Sequence, residues 1–389
     1  MATALIDNEY TSDYEISLLY FPDYDNSTRE QLMNVMHFFH KIGDSSRFFE
    51  YIVSFFGAVL NTFHLIILSR SSMMTTSTNV LLIGIALSDL FCMLISIKNN
   101  LVIDVLEDSC TPPSFLFKIY LDWTITCLRD DFRRCSAWLG VSMTFVRYLL
   151  IRFLTESKKF SKPSVGFHVI VSLFLASTFL SIFFFFKYDF AKIGVWHPDK
   201  KCPGYSESES RDVYARNNSL FFTFSKGIIA DIFLFVNGIL SKLIPCLLLP
   251  VFTVLIIVEL RKAERSRQSV LNESQLNTRN DRTTSFVIFM AVTFFISELP
   301  TGLVYVFQAL YDGVAGFFVI TTDVTYLCNA IFTFNASIHC IICFSMSSQY
   351  RNNVFQLLRV RRKCSSLSVV PTNLNSTVST RPVAMIKID

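Results

Sequence analysis

Seven long apolar stretches, separated by polar segments, dominate the hydrophobic pattern of the chain. They cover roughly residues 48–69, 79–98, 118–151, 165–187, 232–260, 284–309 and 317–345. A helix needs about 20 apolar residues to cross the hydrocarbon core of a bilayer, and each stretch is about that long or longer. The third and fifth exceed the bilayer thickness, so we expect them to tilt or project. The pattern predicts an all-α membrane protein with a bundle of seven transmembrane helices.

The segments that flank the seven-helix region differ in polarity. Residues 1–46 are predicted to be a polar, extracellular tail, and 47–346 the transmembrane domain. Residues 347–363 alternate apolar and basic positions at helical spacing, which predicts a short amphipathic eighth helix along the inner membrane face. Residues 364–389 are rich in Ser and Thr and are predicted to be a disordered cytoplasmic tail. Cys364 is a candidate for palmitoylation, with an unmodified cysteine as the alternative.

Basic residues concentrate in alternate connecting segments and set the expected orientation. Segment 152–163 holds four Lys or Arg, segment 261–283 holds six, and segment 347–363 holds five. The positive-inside rule places these segments in the cytoplasm and the acidic N-terminus outside. No signal peptide is evident, so the first span would act as the insertion signal. We therefore expect a multi-pass protein of the plasma membrane, surrounded by lipid.

Composition supports a membrane protein and argues against several other classes. Of the 389 residues, 51% are hydrophobic and only 17% are charged, against about 25% charged in soluble domains. The formal charge of +4 is too small to indicate a nucleic-acid partner. The six histidines are scattered, and no metal-ligand spacing, nucleophile–base motif or phosphate loop is evident. We predict neither an enzyme nor a resident metal or cofactor.

Two cysteines and one asparagine indicate chemistry on the outer side. Most of the ten cysteines lie in apolar stretches, but Cys110 and Cys202 lie in the first and second outer loops. Two loop cysteines on an oxidising side are expected to form a disulfide. Asn26 begins an Asn-Ser-Thr sequon and is a candidate for glycosylation.

The third span has a charged first half and an apolar second half. Within a bilayer, ionisable side chains usually face the bundle interior, although charges at this density could also form the wet face of a soluble helix. The helical rise of about 1.5 Å per residue places Arg133 and Glu298 at similar heights in the outer half. We predict an ion pair between them, with a purely packing role as the alternative. The charged residues of this half are Arg129, Asp130, Asp131, Arg133 and Arg134.

A second group of polar residues shares a lower depth. Counted along their helices, Asp89, Ser136 and Asn335 all lie about 15–18 Å from the cytoplasmic ends. Together with Asn61 and His339 they could form one hydrogen-bonded site. Such a site would hold a cation or a proton.

Five stretches, in this order on seven spans, resemble the rhodopsin-like G-protein-coupled receptors. More narrowly, residues 42–364 are similar to the nematode serpentine receptor class W family, relatives of the FMRFamide-type peptide receptors. The stretches are Ile83-Gly-Ile-Ala-Leu-Ser-Asp-Leu90, Asp130-Asp-Phe-Arg-Arg-Cys-Ser-Ala-Trp-Leu-Gly140, Ser241-Lys-Leu-Ile-Pro-Cys-Leu-Leu-Leu-Pro250, Phe294-Phe-Ile-Ser-Glu-Leu-Pro300 and Ser337-Ile-His-Cys-Ile-Ile-Cys-Phe344.

The resemblance implies a role for each matching residue. Asn61 would anchor the first span, and Asp89 would be the sodium-site aspartate, with Ser136 and Asn335 as its partners. Arg147, followed by Tyr148, would engage the G protein at the inner end of the third span. The remaining matches are the helix-kink prolines Pro245 and Pro300, and Cys202 as the loop cysteine tied to the top of the third span.

The sequence also departs from the family pattern. Val146 replaces the acid that usually precedes Arg147, and Glu298 replaces a tryptophan. Cys110 lies well before the usual position of its cysteine, so Cys127 is a rival partner for Cys202. His339, Cys340 and Cys343 replace the asparagine, proline and tyrosine of the NPxxY motif, which leaves open both sodium binding near Asp89 and the usual tyrosine step of activation.

These observations lead to a functional hypothesis with two alternatives. We expect an extracellular ligand, a neuropeptide of the FMRFamide type, to bind at Arg129, Asp130, Arg133 and Glu298 and to activate a heterotrimeric G protein. Arrestin is a further candidate partner. One alternative is a chemosensory receptor for an environmental small molecule. The other is an ion- or proton-coupled transporter, although no inverted repeat supports it.

Overall fold

A computed structural model of the chain shows a helical bundle with one β-hairpin in the part of the chain that it describes. The structure describes residues 13–105, 110–153, 155–198, 202, 204–206, 208–224, 228–268, 277–311 and 314–358. The predicted tail after residue 363, with Cys364, lies outside these ranges.

The helices vary in length, and seven long elements form the bundle. In chain order the helices are α1 (Asp13–Tyr20), α2 (Asn26–Leu68), α3 (Ser77–Val105), α4 (Leu116–Arg152), α5 (Ser157–Phe160), α6 (Pro163–Phe185), α7 (Leu220–Thr223), α8 (Ile228–Gly238), α9 (Ile244–Gln268), α10 (Asn277–Leu310), α11 (Ala315–Ser337), α12 (His339–Met346) and α13 (Ser348–Leu357). The seven elements are α2, α3, α4, α6, the pair α8–α9, α10 and the pair α11–α12.

Six of these elements are apolar enough to cross a membrane, judged by length and composition within the described residues. The seventh, α4, is not among the six, and it carries five charged residues in the six positions from Arg129 to Arg134. It nevertheless packs against α3, α6 and α9 inside the bundle. The predicted seven-helix bundle is therefore confirmed.

The N-terminal region differs from the predicted polar tail. Helix α2 runs without a break from Asn26 into the first span, so the predicted boundary after residue 46 falls inside a helix. Its buried positions include Arg29, Met36 and Gly43, which recur every seven residues. A single buried stripe at helical spacing is compatible with a largely polar sequence, and average polarity does not reveal it. Asn26 is exposed, and its glycosylation stays a prediction.

The turn before α2 is fastened to the first residues of α11. Phe21 is fully buried, and its ring meets that of Phe317 edge-on at 5.6 Å between centroids. Gly316 makes this approach possible, because a Cβ at that position would lie 2.1 Å from the ring of Phe21.

A β-hairpin follows α6, and the sequence analysis did not predict it. Strands β1 (Tyr188–Trp196) and β2 (Arg211–Asn218) are antiparallel, with Phe190 opposite Arg216. On α4, the ring of Tyr120 meets that of Phe190, and the ring of Trp123 meets that of Tyr188, each at 4.9 Å. One face of the hairpin therefore rests on the first turns of α4.

The predicted disulfide ties this hairpin to the segment before α4. Cys110 and Cys202 are bonded, with their Cα atoms 5.3 Å apart. Cys127 is a free, buried thiol, so the alternative pairing is wrong. We call this end of the bundle the disulfide end, and the end that carries α5 and α13 the opposite end.

Helix α13 packs against the opposite end through buried polar contacts. The Tyr350 hydroxyl lies 2.8 Å from Nδ1 of His64 and 3.4 Å from Sγ of Cys340. Burial raises the pKa of the Tyr350 phenol above its ordinary value, so this hydroxyl remains protonated. The Ser72 hydroxyl donates to Oδ1 of Asn353 at 2.7 Å. Helix α13 covers ten residues of the segment 347–363; that this segment forms an amphipathic helix along a membrane face stays a prediction.

A π-helical segment, Ile239–Leu243, separates α8 from α9. Pro245 follows as the second residue of α9 and lacks the N–H that would continue the α-helical ladder. Single π turns of this kind often occur at functional sites. The segment contributes two fully buried polar side chains, Ser241 and Lys242. The other predicted kink residue, Pro300, lies inside α10.

Candidate functional site

The predicted ion pair between α4 and α10 is present. Arg133 donates from Nε and Nη2 to one carboxylate oxygen of Glu298, at 3.0 and 2.8 Å. Its Nη1 donates to Oδ1 of Asn329 on α11, and its Nη2 to Oγ1 of Thr301 at 3.4 Å. The other oxygen of Glu298 lies 3.2 Å from Nζ of Lys242. One fully buried carboxylate is therefore shared by two buried cations, and the sequence analysis had paired it with only one.

The two cations of this cluster are not fully balanced by one carboxylate. An aromatic face offsets part of the excess, because the guanidinium of Arg133 lies over the ring of Phe332 at 4.8 Å. Lys242 adds the third charge from the π-helical segment. The cluster thus joins α4, α10, α11 and the fifth element at one buried point.

Arg134 forms a second buried node. Its Nη1 donates to the carbonyl and hydroxyl of Ser177 at 2.9 and 3.2 Å, and to the hydroxyl of Ser181 at 3.1 Å. Its Nε donates to Ser241 at 2.8 Å, and its Nη2 to Asp130 at 2.8 Å. These bonds join α4 to α6 and to the π-helical segment. Asp130, which was predicted to contact ligand, instead bonds to Arg134.

Arg129 forms a third node, with α2 and α3. Nη2 of Arg129 donates to Oε1 of Glu50 at 2.5 Å, and the hydroxyl of Ser96 donates to the same oxygen at 2.8 Å. Glu50 is only 3% exposed. Arg129, Arg133 and Arg134 therefore bond to three different sets of helices.

A cavity of about 430 Å³ lies at the disulfide end, bounded by α2, α3, α4, α11 and the hairpin. We call it the hairpin cavity. Of the four residues predicted to bind ligand, Arg129 lines this cavity. The other three, Asp130, Arg133 and Glu298, do not line it and belong to the two other nodes. Its charged lining residues are Arg47, Glu50, Lys98, Asp122, Arg129 and Arg216.

The predicted lower polar group is partly assembled. Asp89 is fully buried, and one of its carboxylate oxygens accepts from the Ser136 hydroxyl at 2.6 Å. The other oxygen lies 3.2 Å from Nδ1 of His339. Asn335 bonds elsewhere, accepting from the Thr293 hydroxyl at 2.8 Å. The shared depth of Asp89 and Ser136 is therefore confirmed, and Asn335 forms a neighbouring contact.

Asn61 does not bond to Asp89 but links two helices. Its amide donates to the carbonyls of Gly57 and Ala336 at 3.2 and 3.3 Å, which ties α2 to α11.

These contacts do not fit a sodium ion well. Hard cations are held by several oxygen ligands. Here one oxygen of Asp89 is taken by Ser136, and the other faces the ring nitrogen of His339.

A narrow cavity of about 90 Å³ connects this group to the other end of α4. We call it the core cavity, and its lining includes Asp89, Ser136, His339 and Arg147. Among the described residues, no carboxylate lies within the 4.0 Å ion-pair distance of Arg147. The next arginine, Arg152, pairs with Glu259 of α9 at 3.6 Å.

The two neighbours of Arg147 lie outside the core cavity. Val146 is buried against Leu81 and Leu139, so the position that usually holds an acid faces an apolar cluster. Tyr148 is half-buried and lines neither cavity.

Two charged residues of these nodes, Glu50 and Lys242, were missed by the sequence analysis. Each lies within a predicted apolar span that holds at most two Asp, Glu, Lys or Arg residues. Such residues usually mark interior polar contacts, so their position alone was a usable signal. Their partners could not be named, because each interacts with a helix far away in sequence.

Comparison with known proteins gives one family. The family model described as "Serpentine type 7TM GPCR chemoreceptor Srw" matches residues 48–361. That range covers all seven elements from the middle of α2 onward, and α13. No curated protein matches the chain at a significant level.

Proposed function

The chain belongs to the serpentine type 7TM GPCR chemoreceptor Srw family, and we propose that its extracellular ligand is a peptide that binds in the hairpin cavity. The family consists of receptors and not of enzymes. The chain is accordingly a multi-pass membrane receptor, and an extracellular ligand and a G protein are its expected partners.

The hairpin cavity is the observation that carries this proposal. Its volume of about 430 Å³ falls within the range of ligand pockets, about 300–1,000 Å³. Its lining combines aromatic residues such as Trp123 and Tyr326 with six charged side chains. Peptides offer both apolar side chains and charged or polar groups to such a surface. In this proposal the disulfide end is extracellular, as the basic connecting segments predict.

Ligand binding would be transmitted through α4. Arg129 lines the hairpin cavity, and the Arg133–Glu298–Lys242 cluster begins one helical turn further along. The core cavity then leads to Arg147. A ligand shifts such a bundle only by binding one of its states more tightly than the other. We propose that the bound state opens the opposite end, where Arg147 contacts the G protein.

A second candidate is a receptor for an environmental small molecule. The family description, a chemoreceptor, favours it. The same cavity would serve, and the same transmission through α4 would apply.

G-protein activation in cells that express the full chain tests the proposal. A library of neuropeptides, amidated and in the free-acid form, would be screened against wild type and Arg147→Gln. We expect a peptide response that Arg147→Gln loses by at least about tenfold at equal surface expression. Arg152→Gln is the matched control, since Arg152 lies on the same helix and forms a partly exposed pair with Glu259; it should respond as wild type.

Two results would contradict the proposal. An Arg147→Gln variant that signals like wild type would remove the assigned coupling role. Silence toward every peptide, combined with a response to a panel of small odorant-like molecules, would favour the second candidate.

A further inference from the structure

The charges around the hairpin cavity do not cancel. Among the described residues, four basic and two acidic side chains line it, which gives this lining a formal charge of +2. Both acids are already paired with bases of the same lining, Glu50 with Arg129 and Asp122 with Lys98. The excess charge therefore belongs to the remaining two residues, Arg47 and Arg216.

The guanidinium of Arg216 lies against aromatic rings. It lies on β2 directly across from Phe190, and both residues line the cavity. Its guanidinium carbon is 4.4 Å from the ring centre of Tyr188 and 5.8 Å from that of Trp123. Among the described residues, no acidic group lies within ion-pair distance of it. The rings orient the guanidinium and leave its N–H groups available.

Arg47 faces the cavity from α2 with only a weak partner. Its guanidinium lies over the ring of Tyr326 at 5.2 Å. It also reaches Asp44 at 3.6 Å, but the Asp44 side chain is 55% exposed and does not line the cavity. Exposed ion pairs of this kind contribute little to stability and exchange easily for a better partner.

We propose that the ligand binds in the hairpin cavity through a carboxylate, which accepts hydrogen bonds from Arg216 and Arg47. A guanidinium presents a planar fork of N–H groups that matches a carboxylate, often with two parallel bonds. Aromatic residues beside it exclude water and strengthen the contact. This inference rests on the proposed function, because it names the chemical group by which that ligand is recognised.

The inference narrows the ligand class further than the family resemblance does. A peptide that ends in an amide beside a basic residue brings a positive charge to a cavity that is already positive. Like charges at close range are unfavourable. A peptide with a free C-terminal carboxylate, or a small organic acid, brings the charge that the cavity lacks.

Two peptide pools that differ only at the C-terminus provide the test. Both contain N-acetylated tetrapeptides of uncharged residues, one pool with a free carboxylate and the other with an amide. The measurement is the thermal unfolding of the purified full chain in lipid nanodiscs, as a function of pool concentration. We expect the carboxylate pool to stabilise wild type at concentrations at least about tenfold lower than the amide pool, as for a charge-assisted hydrogen bond.

The variants Arg216→Gln and Arg47→Gln locate the effect. Arg216→Gln should weaken the response to the carboxylate pool by about tenfold and leave that to the amide pool unchanged. Arg47→Gln should act in the same direction. Arg211→Gln is the matched control, because Arg211 lies on the same strand, pairs with Glu209 and does not line the cavity. An equal or stronger effect of the amide pool, or no effect of either pool, would overturn the inference.

Signalling measurements separate this inference from the proposed function. If carboxylate peptides bind in an Arg216-dependent way but activate no G protein, the proposed signalling role of the cavity fails and the inference stands. If an amidated peptide activates the receptor with equal potency in wild type, Arg216→Gln and Arg47→Gln, the proposed function stands and the inference fails.

Discussion

Arg147, in the second half of α4, differs from the three arginines in the first half of the same helix. In the half near the disulfide end, Arg129, Arg133 and Arg134 each bond to at least one carboxylate or several polar groups on other helices. In the other half, Arg147 lines the core cavity without a carboxylate within ion-pair distance among the described residues. The first half therefore holds the bundle together, and the second half carries a cation, Arg147, that no carboxylate of the described residues neutralises.

This difference indicates where the molecule resists change and where it can accept a partner. Separating a buried ion pair leaves uncompensated charge behind and is expensive. A partner that recruits Arg147 need not first break an ion pair. We infer that the charged half of α4 limits which helix arrangements are available, and that the other half responds to them. The predictions that follow test this comparison, beginning with the largest expected effect.

Removal of the shared carboxylate should have the largest effect on stability. In Glu298→Gln, the cations Arg133 and Lys242 stay buried without an anion between them. Breaking a buried pair typically costs about 3–5 kcal/mol, so we expect a clearly lower unfolding temperature and less receptor at the cell surface. Thermal unfolding of the purified receptor in nanodiscs measures the loss of stability.

Glu259→Gln is the matched control for this substitution. Its partner Arg152 is 46% exposed, so the pair should be worth no more than about 1 kcal/mol. An equal drop in unfolding temperature in Glu298→Gln and Glu259→Gln would show that burial does not make one ion pair more important than the other.

The same substitution in each half of α4 sharpens the comparison. Arg134→Gln removes bonds to Ser177, Ser241 and Asp130, and should cost about 3 kcal/mol. Arg147→Gln breaks no ion pair among the described residues and should change the unfolding free energy by less than about 1 kcal/mol, while it lowers signalling by at least about tenfold. Unfolding curves and surface expression of both variants measure this. If Arg147→Gln proves the less stable of the two, the description of its half as unconstrained is wrong.

Sodium should have the smallest effect, because His339 already faces Asp89 at 3.2 Å. Replacement of sodium by N-methylglucamine at constant ionic strength should leave the unfolding temperature of wild type unchanged. His339→Asn removes the imidazole and offers an amide oxygen, so that variant should gain stability from sodium. A sodium-dependent shift in wild type would contradict this prediction.

Several contacts of the site followed from the sequence because helices have a fixed rise. Residue counts along straight spans were enough to place Arg133 level with Glu298, and Asp89 level with Ser136. Both pairs form in the structure. Counting gives a height but not an angle around the bundle axis. For that reason Asn335 was placed at the right depth, although its hydrogen bond goes to Thr293 and not to Asp89.

The roles of the other charged residues could not be worked out in this way. Lys242 reaches Glu298 from a π-helical segment, where the residue spacing departs from that of an α-helix. The hairpin that carries Arg216 has mixed polar and apolar positions without strict alternation, so its sequence does not resemble a typical strand pair.

The sequence by itself determined that this chain is a seven-helix membrane bundle, with its charges concentrated in one half of the third span. Apolar length and charge position are local properties, and the bilayer acts on them directly. Only the tertiary structure decided which charges neutralise each other and which remain available. Those pairings join α2, α4, α10 and the hairpin, and depend on how helices far apart in sequence are rotated and packed. That packing also leaves the guanidiniums of Arg147 and Arg216 without a carboxylate partner among the described residues.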